Sequence, residues 1–261
     1  MPTVNTVAAQ FAPSADVQSN LEFISRTVSE HPDAQLFVFP EYSAWFHPDP
    51  RSWGEGAQSV DGDFVASLVG LVAGSDRVIV AGFIEIAGEH LFNAVVAVSS
   101  AGVLAHYRKL HLYDAFGHRE SDWLSAGDAA EAPAVFTVGG LVCGIQTCYD
   151  IRFPEVSRRL IDAGAEVLIV PSDWVPGEGK SLAWNTLTTA RAIENVAYLV
   201  AANHAAPSGT GESRVVSPLG VGTELAEGAT VVSAVLDRDQ VAAARERNPA
   251  LALRRFGIIP R

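Results

Sequence analysis

The chain has 261 residues, 48% of them hydrophobic, with a formal net charge of -12. That length admits one large domain or two small ones, and the apolar content supports a substantial core and excludes a disordered chain. The acidic balance excludes nucleic acid and anionic membrane surfaces as partners.

Strand-like and helix-like runs alternate along the whole sequence. Val4–Phe11 reads as a strand, and Asn20 reads as the cap of a helix carrying Leu21, Ile24 and Val28. Leu36–Phe39 is an apolar run too short for a helix, and Val78–Ile84 and Ala94–Val98 read as further strands. Leu141–Ile145 runs as a buried strand toward Cys148. Pro154 then opens a helix whose stripe of Val156, Leu160 and Ile161 ends at Gly164. Val167–Val170 is a strand, Ser181–Asn195 is a long helix with Leu187, Ala190 and Ile193 on one face, and Tyr198–Ala202 is again a strand. Buried strands alternating with helices imply an α/β layered fold. No linker or low-complexity tract divides the chain, so residues 1–261 are read as a single domain.

Two segments resemble each other. DAQLFVFPE (33–41) and GAEVLIVPS (164–172) both run into an apolar strand, then Pro, then a polar residue. A weak internal duplication and convergent strand-end chemistry both explain the likeness. In either case the two corners belong at the carboxyl ends of strands, where α/β sheets hold their sites.

Four residues in these segments are suited to chemistry. Cys148 on a strand-to-helix turn would be partly exposed near the positive end of a helix, a setting that lowers a thiol pKa and favours the thiolate. A small buried apolar filler accounts for it equally well from the segment alone. Glu41 follows Pro40 at a corner: buried near a thiol it is a general base, exposed it is a loop carboxylate. Lys109, in YRKLHLYD (107–114), is suited to an oxyanion, or is a surface lysine beside Arg108. Glu120, in HRESDW (118–123), either joins them or stands next to a short helix started by Ser121 or Asp122. Cys143 and Cys148 lie on one predicted strand, on opposite faces and about 16 Å apart, too far for a disulfide. Two unpaired cysteines, no signal-peptide pattern and no membrane-length apolar run predict a cytoplasmic protein. His106 and His111 match no metal motif, and the chain lacks a Walker loop, GxGxxG and GxSxG. Neither a metal nor a cofactor is expected.

Taken together the segments resemble the nitrilase superfamily, the carbon–nitrogen hydrolases, along nearly the whole chain and in the same order. AAQFAP (8–13) with Asp16 and Asn20 is similar to the family's opening, FPEY (39–42) to its glutamate segment and YRKLHLYD to its lysine segment. ESDWLSAGD (120–128) resembles its second glutamate segment and CYDIRFPE (148–155) its nucleophile motif. ARAIEN (190–195), AAN (201–203) and SxxxxPxG (213–220) resemble later landmarks. The resemblance implies a four-layer α-β-β-α sandwich, catalytic Glu41, Lys109, Cys148 and Glu120, and a homodimer or larger assembly. It implies that Cys148 attacks a small amide, with water as the second reactant, while Lys109 and the backbone N–H of Tyr149 hold the oxyanion. Small aliphatic amides are the expected substrates; N-carbamoyl amines and nitriles suit the same machinery, and an inactive binding or assembly module is the rival of another class. Tyr42, Asp173 and Trp174 are candidate substrate contacts, and His47 and Arg119 would favour a carboxylate on the substrate. Gln146, Thr147 and Ala126 depart from the family pattern, and the 207–212 loop is short and Gly-rich.

Overall fold

The computed structural model describes residues 3–259. Strands β1 (Thr3–Ala9), β2 (Leu36–Val38), β3 (Val78–Ala87), β4 (His90–Ser99) and β5 (Gly102–Arg108) form one six-stranded sheet with β12 (Val231–Asp237), in the order β12-β1-β2-β3-β4-β5. The second sheet holds β6 (Val135–Val138), β7 (Leu141–Ile145), β8 (Val167–Ser172), β9 (Tyr198–Asn203), β10 (Arg214–Val216) and β11 (Gly222–Glu224), in the order β11-β10-β9-β8-β7-β6. The sheets share a plan. β1, β2 and β3 run parallel, as do β7, β8 and β9, and antiparallel strands flank both groups.

Strand alternation explains the layering. In β2, Leu36 and Val38 face a core shared with Ile145, Val167 and Ile169 of the other sheet, while Phe37, and Phe39 just past the strand, face outward. That outer face is covered by α1 (Val17–Glu30) and α2 (Asp63–Leu71) through Ile24, Val28, Phe64 and Leu68. In β8, Leu168 and Val170 face α3 (Pro154–Asp162) and α4 (Lys180–Asn195) through Leu160, Ile161 and Trp184. The result is the four-layer α-β-β-α sandwich, each central strand buried on both faces, as its unbroken apolar run requires. A last helix, α5 (Arg238–Arg247), follows β12 and turns Val241 into the inter-sheet core. Among the described residues no helix is long and apolar enough to cross a membrane.

Three local expectations are corrected. Asp16, not Asn20, caps α1, accepting from the N–H groups of Gln18 and Ser19. Asn20 lies within the helix, and its amide donates to the carbonyls of Ser14 (2.9 Å) and Ala44 (3.0 Å), tying α1 to the turn after β2. The buried face of α4 carries Trp184, Thr188, Arg191, Ala192 and Asn195, with Leu187 packed at its margin, while Ala190 and Ile193 lie off it. Ile193 is 47% exposed, because packing follows the large Trp184 ring. Finally, β7 ends at Ile145, so Cys148 does not share its strand with Cys143; it opens a one-turn 3-10 helix, Cys148–Arg152.

Candidate active site

The two Pro–polar corners lie at the ends of β2 and β8, both parallel strands, and the chain converges there from both sheets. Glu41 sits in the turn after β2. Its backbone is pressed against β3, where a Cβ on Gly82 would lie 2.7 Å from the Tyr42 nitrogen and 2.8 Å from the Glu41 Cα. The glycine lets the turn sit close to the sheet. Glu41, Lys109 and Glu120 are all buried, at 1%, 2% and 6% exposure. Lys109 follows β5, and its Nζ donates to Glu41 Oε1 and to Glu120 Oε2, each at 2.9 Å. Glu120 also accepts from the Tyr42 hydroxyl (2.8 Å) and the Tyr113 N–H (2.6 Å).

Asn93, on β4, was not foreseen. Its amide lies 2.5 Å from Glu41 Oε1 and 2.8 Å from Glu120 Oε1, so it bridges the two carboxylates as Lys109 does. Its backbone carbonyl accepts from the Lys109 N–H at 2.8 Å, which aligns the two residues. A lone amide inside the apolar run FNAVVAV was the available signal, since a buried amide needs a partner.

Cys148 comes from the other sheet. It adopts φ 46, a left-handed conformation that side chains rarely take, at the sharp turn after β7. The Asp150 carboxylate holds that turn: it accepts from the Thr147 N–H (3.0 Å), the Tyr107 hydroxyl (2.6 Å), and the N–H of His111 (3.0 Å). Tyr107 and His111 flank Lys109 in sequence, so one buried carboxylate ties the lysine segment to the thiol turn. The departures at 146 and 147 are both buried, and Gln146 Oε1 accepts from Ser157 on α3 at 2.7 Å, turned away from the site.

Asp173 connects the halves through its backbone. Its N–H donates to Glu41 Oε2 at 2.6 Å, and its carbonyl lies 3.6 Å from Cys148 Sγ. Its carboxylate turns toward His204 Nδ1 at 3.2 Å, while His204 Nε2 contacts the Glu41 carbonyl at 2.7 Å. The Ser208 hydroxyl also reaches His204 Nδ1, at 3.3 Å. Burial raises the Asp173 carboxyl to about 6. His204 gave no signal in sequence.

The electrostatics follow from burial and pairing. Burial alone would raise the Glu120 carboxyl, but the Lys109 charge and hydrogen bonds from Lys109, Asn93 and the Tyr113 N–H hold it below the usual carboxylate range. Burial alone would lower the Lys109 ammonium, and the Glu120 and Glu41 carboxylates hold it well above its ordinary value. Cys148 is 6% exposed, and burial together with the Glu41 carboxylate pushes its thiol well up, against the opposing pull of Lys109. The expected partly exposed, acidified thiol is therefore corrected. Two carboxylates and one ammonium already leave one net negative charge, and a free thiolate would add a second where solvent cannot screen it.

These groups floor a cleft of about 470 Å³ walled by Tyr42, Phe46, Trp53, Tyr113, His118, Arg119, Asp173, Val175 and Ser208. Tyr42 and Asp173 thus stand in its wall. Trp174 does not: it is buried, donates to the Lys180 carbonyl at 2.9 Å, packs against Trp184, and reaches only a narrow recess beside the thiol. Arg119 is at the rim, 3.5 Å from Asp122, and His47 stacks beside Trp45 outside the cleft wall. Among the described residues no cluster of His, Cys, Asp or Glu could hold a metal ion.

A family model described as carbon-nitrogen hydrolase matches residues 5–246. A protein of Escherichia coli O157:H7 named deaminated glutathione amidase is 34% identical over 257 residues, covering 95% of this chain and 96% of that protein. The crystal structure of the Caenorhabditis elegans NitFhit protein superposes with a TM-score of 0.87 at 25% identity, covering 98% of this chain and 66% of that one. An amidase from Nesterenkonia sp. superposes with a TM-score of 0.78 at 25% identity, covering 96% of each chain.

Proposed function

The chain belongs to the carbon–nitrogen hydrolase family, enzymes of non-peptide carbon–nitrogen bonds, and from that premise we propose that it is a thiol-dependent amidase acting through a Cys148 thioester. The observation that carries this reading is Glu41, hydrogen-bonded at once to Lys109 and to the backbone N–H of Asp173, whose carbonyl meets the Cys148 thiol.

Glu41 takes the thiol proton as Cys148 attacks the amide carbon. This keeps the charge of the buried set constant, which matters because bare ionisation of the thiol is opposed by burial and by Glu41. Charge moves instead onto the substrate oxygen, where the Lys109 ammonium and the N–H of Tyr149, at the start of the 3-10 turn, stabilise it. Protonated Glu41 then gives its proton to the leaving nitrogen, and ammonia departs from the thioester. Water attacks next, losing its proton to Glu41. Collapse of the second tetrahedral species expels the thiolate, which recovers that proton as the acid leaves. Glu120 and Asn93 keep Lys109 and Glu41 aligned throughout.

Small aliphatic amides are the proposed substrates, with N-carbamoyl amines and nitriles open to the same chemistry. A carboxylate-bearing amide is the second reading: the E. coli relative is named for deaminated glutathione, which carries carboxylates. The same proposal takes the whole chain as one catalytic unit working as a homodimer or larger assembly. Supporting the assembly, Leu182 and Ile193 on α4 and nearby Leu219 and Val221 are exposed apolar side chains. The test is ammonia release from an amide panel with mass spectrometry of the intact protein. An acyl adduct on Cys148 and no release from Cys148→Ala are expected; turnover retained by Cys148→Ala overturns the mechanism.

A further inference from the structure

Beside the thiol, the cleft extends into a narrow recess of about 10 Å³ walled by Tyr113, Cys148, Tyr149, Asp173, Trp174 and Lys180. That is room for about one water or one carboxylate oxygen. One cation lines it, and a second, Arg152, packs on the Trp174 and Tyr149 rings that wall it. Lys180, the first residue of α4, is 8% exposed; its ammonium donates to the Tyr113 hydroxyl and lies 4.0 Å from the centre of the Phe116 ring. Arg152 lies 5.0 Å from the centre of the Trp174 ring, and its Nε is buried without a hydrogen-bond partner. Among the described residues neither cation forms an ion pair, although Arg108, Lys109, Arg191, Arg214 and Arg238 all do. Aromatic rings flank both of them, and the one carboxylate in the recess wall, Asp173, is turned to His204.

Burying an unpaired ammonium close to a half-buried guanidinium is unfavourable unless an anion completes the set. Burial and the neighbouring Arg152 charge push the Lys180 ammonium below its ordinary value, a sign of that unmet demand. The Tyr113 hydroxyl, with a lone pair taken by Lys180, has its own proton free to point into the cleft that it also walls.

We propose that Lys180 and Tyr113, backed by Arg152, hold an anionic oxygen of the substrate beside Cys148, so that carboxylate-bearing amides are the preferred substrates. This deepens the amidase reading and rests on Cys148 being the nucleophile. It also replaces His47 and Arg119, the cations expected from sequence, with Lys180, which walls the same recess as the thiol, and Arg152 packed behind its aromatic rings.

Alkylation of Cys148 tests the subsite without requiring turnover. Iodoacetate and iodoacetamide differ only in carrying a carboxylate or a neutral amide. The ratio of their rates on wild type should exceed the ratio on Lys180→Met by at least tenfold, with a smaller fall in Tyr113→Phe, which also serves if the lysine variant does not fold. A ratio unchanged in both variants overturns the proposal. Equal slowing by both reagents also overturns it, assigning Lys180 to the thiolate instead. Alongside, ammonia release is compared for succinamate and its neutral counterpart butanamide. A preference for succinamate that Lys180→Met reduces at least tenfold is expected, and no preference in wild type overturns the substrate claim. If neither amide, nor any in the wider panel, is hydrolysed while the alkylation ratio still falls, the anion site stands and the amidase reading fails.

Discussion

The corners at residues 39–41 and 170–173 start alike and are used in opposite ways. At the first, the side chain of Glu41 enters the cluster and accepts from Lys109, Asn93 and a backbone N–H. At the second, Asp173 offers its backbone to both Glu41 and Cys148 while its carboxylate turns to His204. The first sheet and its loops supply buried charge, and the second supplies the thiol and the geometry around it. The contrast teaches that similar strand ends can divide a reaction between electrostatics and alignment, and that the two contributions should fail differently.

The largest separation is expected from Lys109→Met. It strands Glu41 and Glu120 as buried carboxylates without their cation, costing about 3–5 kcal/mol of stability as well as turnover. Urea denaturation beside ammonia release measures both; unchanged stability would mean that the first sheet's cluster is not the charged cage described here. Cys148→Ala should instead remove turnover while stability stays within about 1 kcal/mol of wild type, because it deletes one sulfur and no charge. A large stability loss there would erase the contrast between the sheets. Gly82→Ala should fall between the chemical and structural extremes. Its Cβ would meet the Glu41–Tyr42 backbone at 2.7–2.8 Å, so the turn must move. A loss of about 1–3 kcal/mol and on the order of ten- to a hundredfold in turnover is expected, with Lys109 and Cys148 both intact. The smallest effect concerns pH. Because the folded Glu120 carboxyl is held below its unfolded value, its contribution to stability is complete above the ordinary carboxylate range and is lost as pH falls through the depressed value. Denaturation midpoints between about pH 6 and pH 3 should therefore fall less steeply in Glu120→Gln than in wild type. Parallel slopes would remove Glu120 from the acid response.

Much of this arrangement is legible in the sequence. Apolar runs bounded by turn residues locate β2, β3, β7, β8 and β9, and Pro154 marks the start of α3 correctly. The four candidate catalytic residues could be named because each stands in a distinctive segment. β5, β10, β11 and β12 were harder: β5 exposes Val103 and Leu104, and every residue of β11 is exposed, so neither carries a clean alternating pattern. The pairing of Asp150 with Tyr107 and His111, and of His204 with Glu41, joins residues distant in sequence, which no local pattern reports. The thiol's environment is hidden from local sequence for a related reason. Local sequence placed Cys148 near a helix start, but its electrostatics are set by burial and by a carboxylate 107 positions away.

The edge of the first sheet bears on how the chain is made. β12 pairs along the full length of β1, with Thr3 opposite Asp237 and Ala9 opposite Val231. β1 therefore waits for a strand 222 to 234 residues further along before that edge is covered (Ala9 to Val231, Thr3 to Asp237). Cys148, Asp173 and His204 have all emerged by then, while β1 still presents unpaired backbone groups, the kind of edge that recruits strands from other chains. A chain stopped before Val231 would carry every residue of the cluster and still lack the strand that covers β1, so the vulnerable interval during synthesis lasts until β12 has been made.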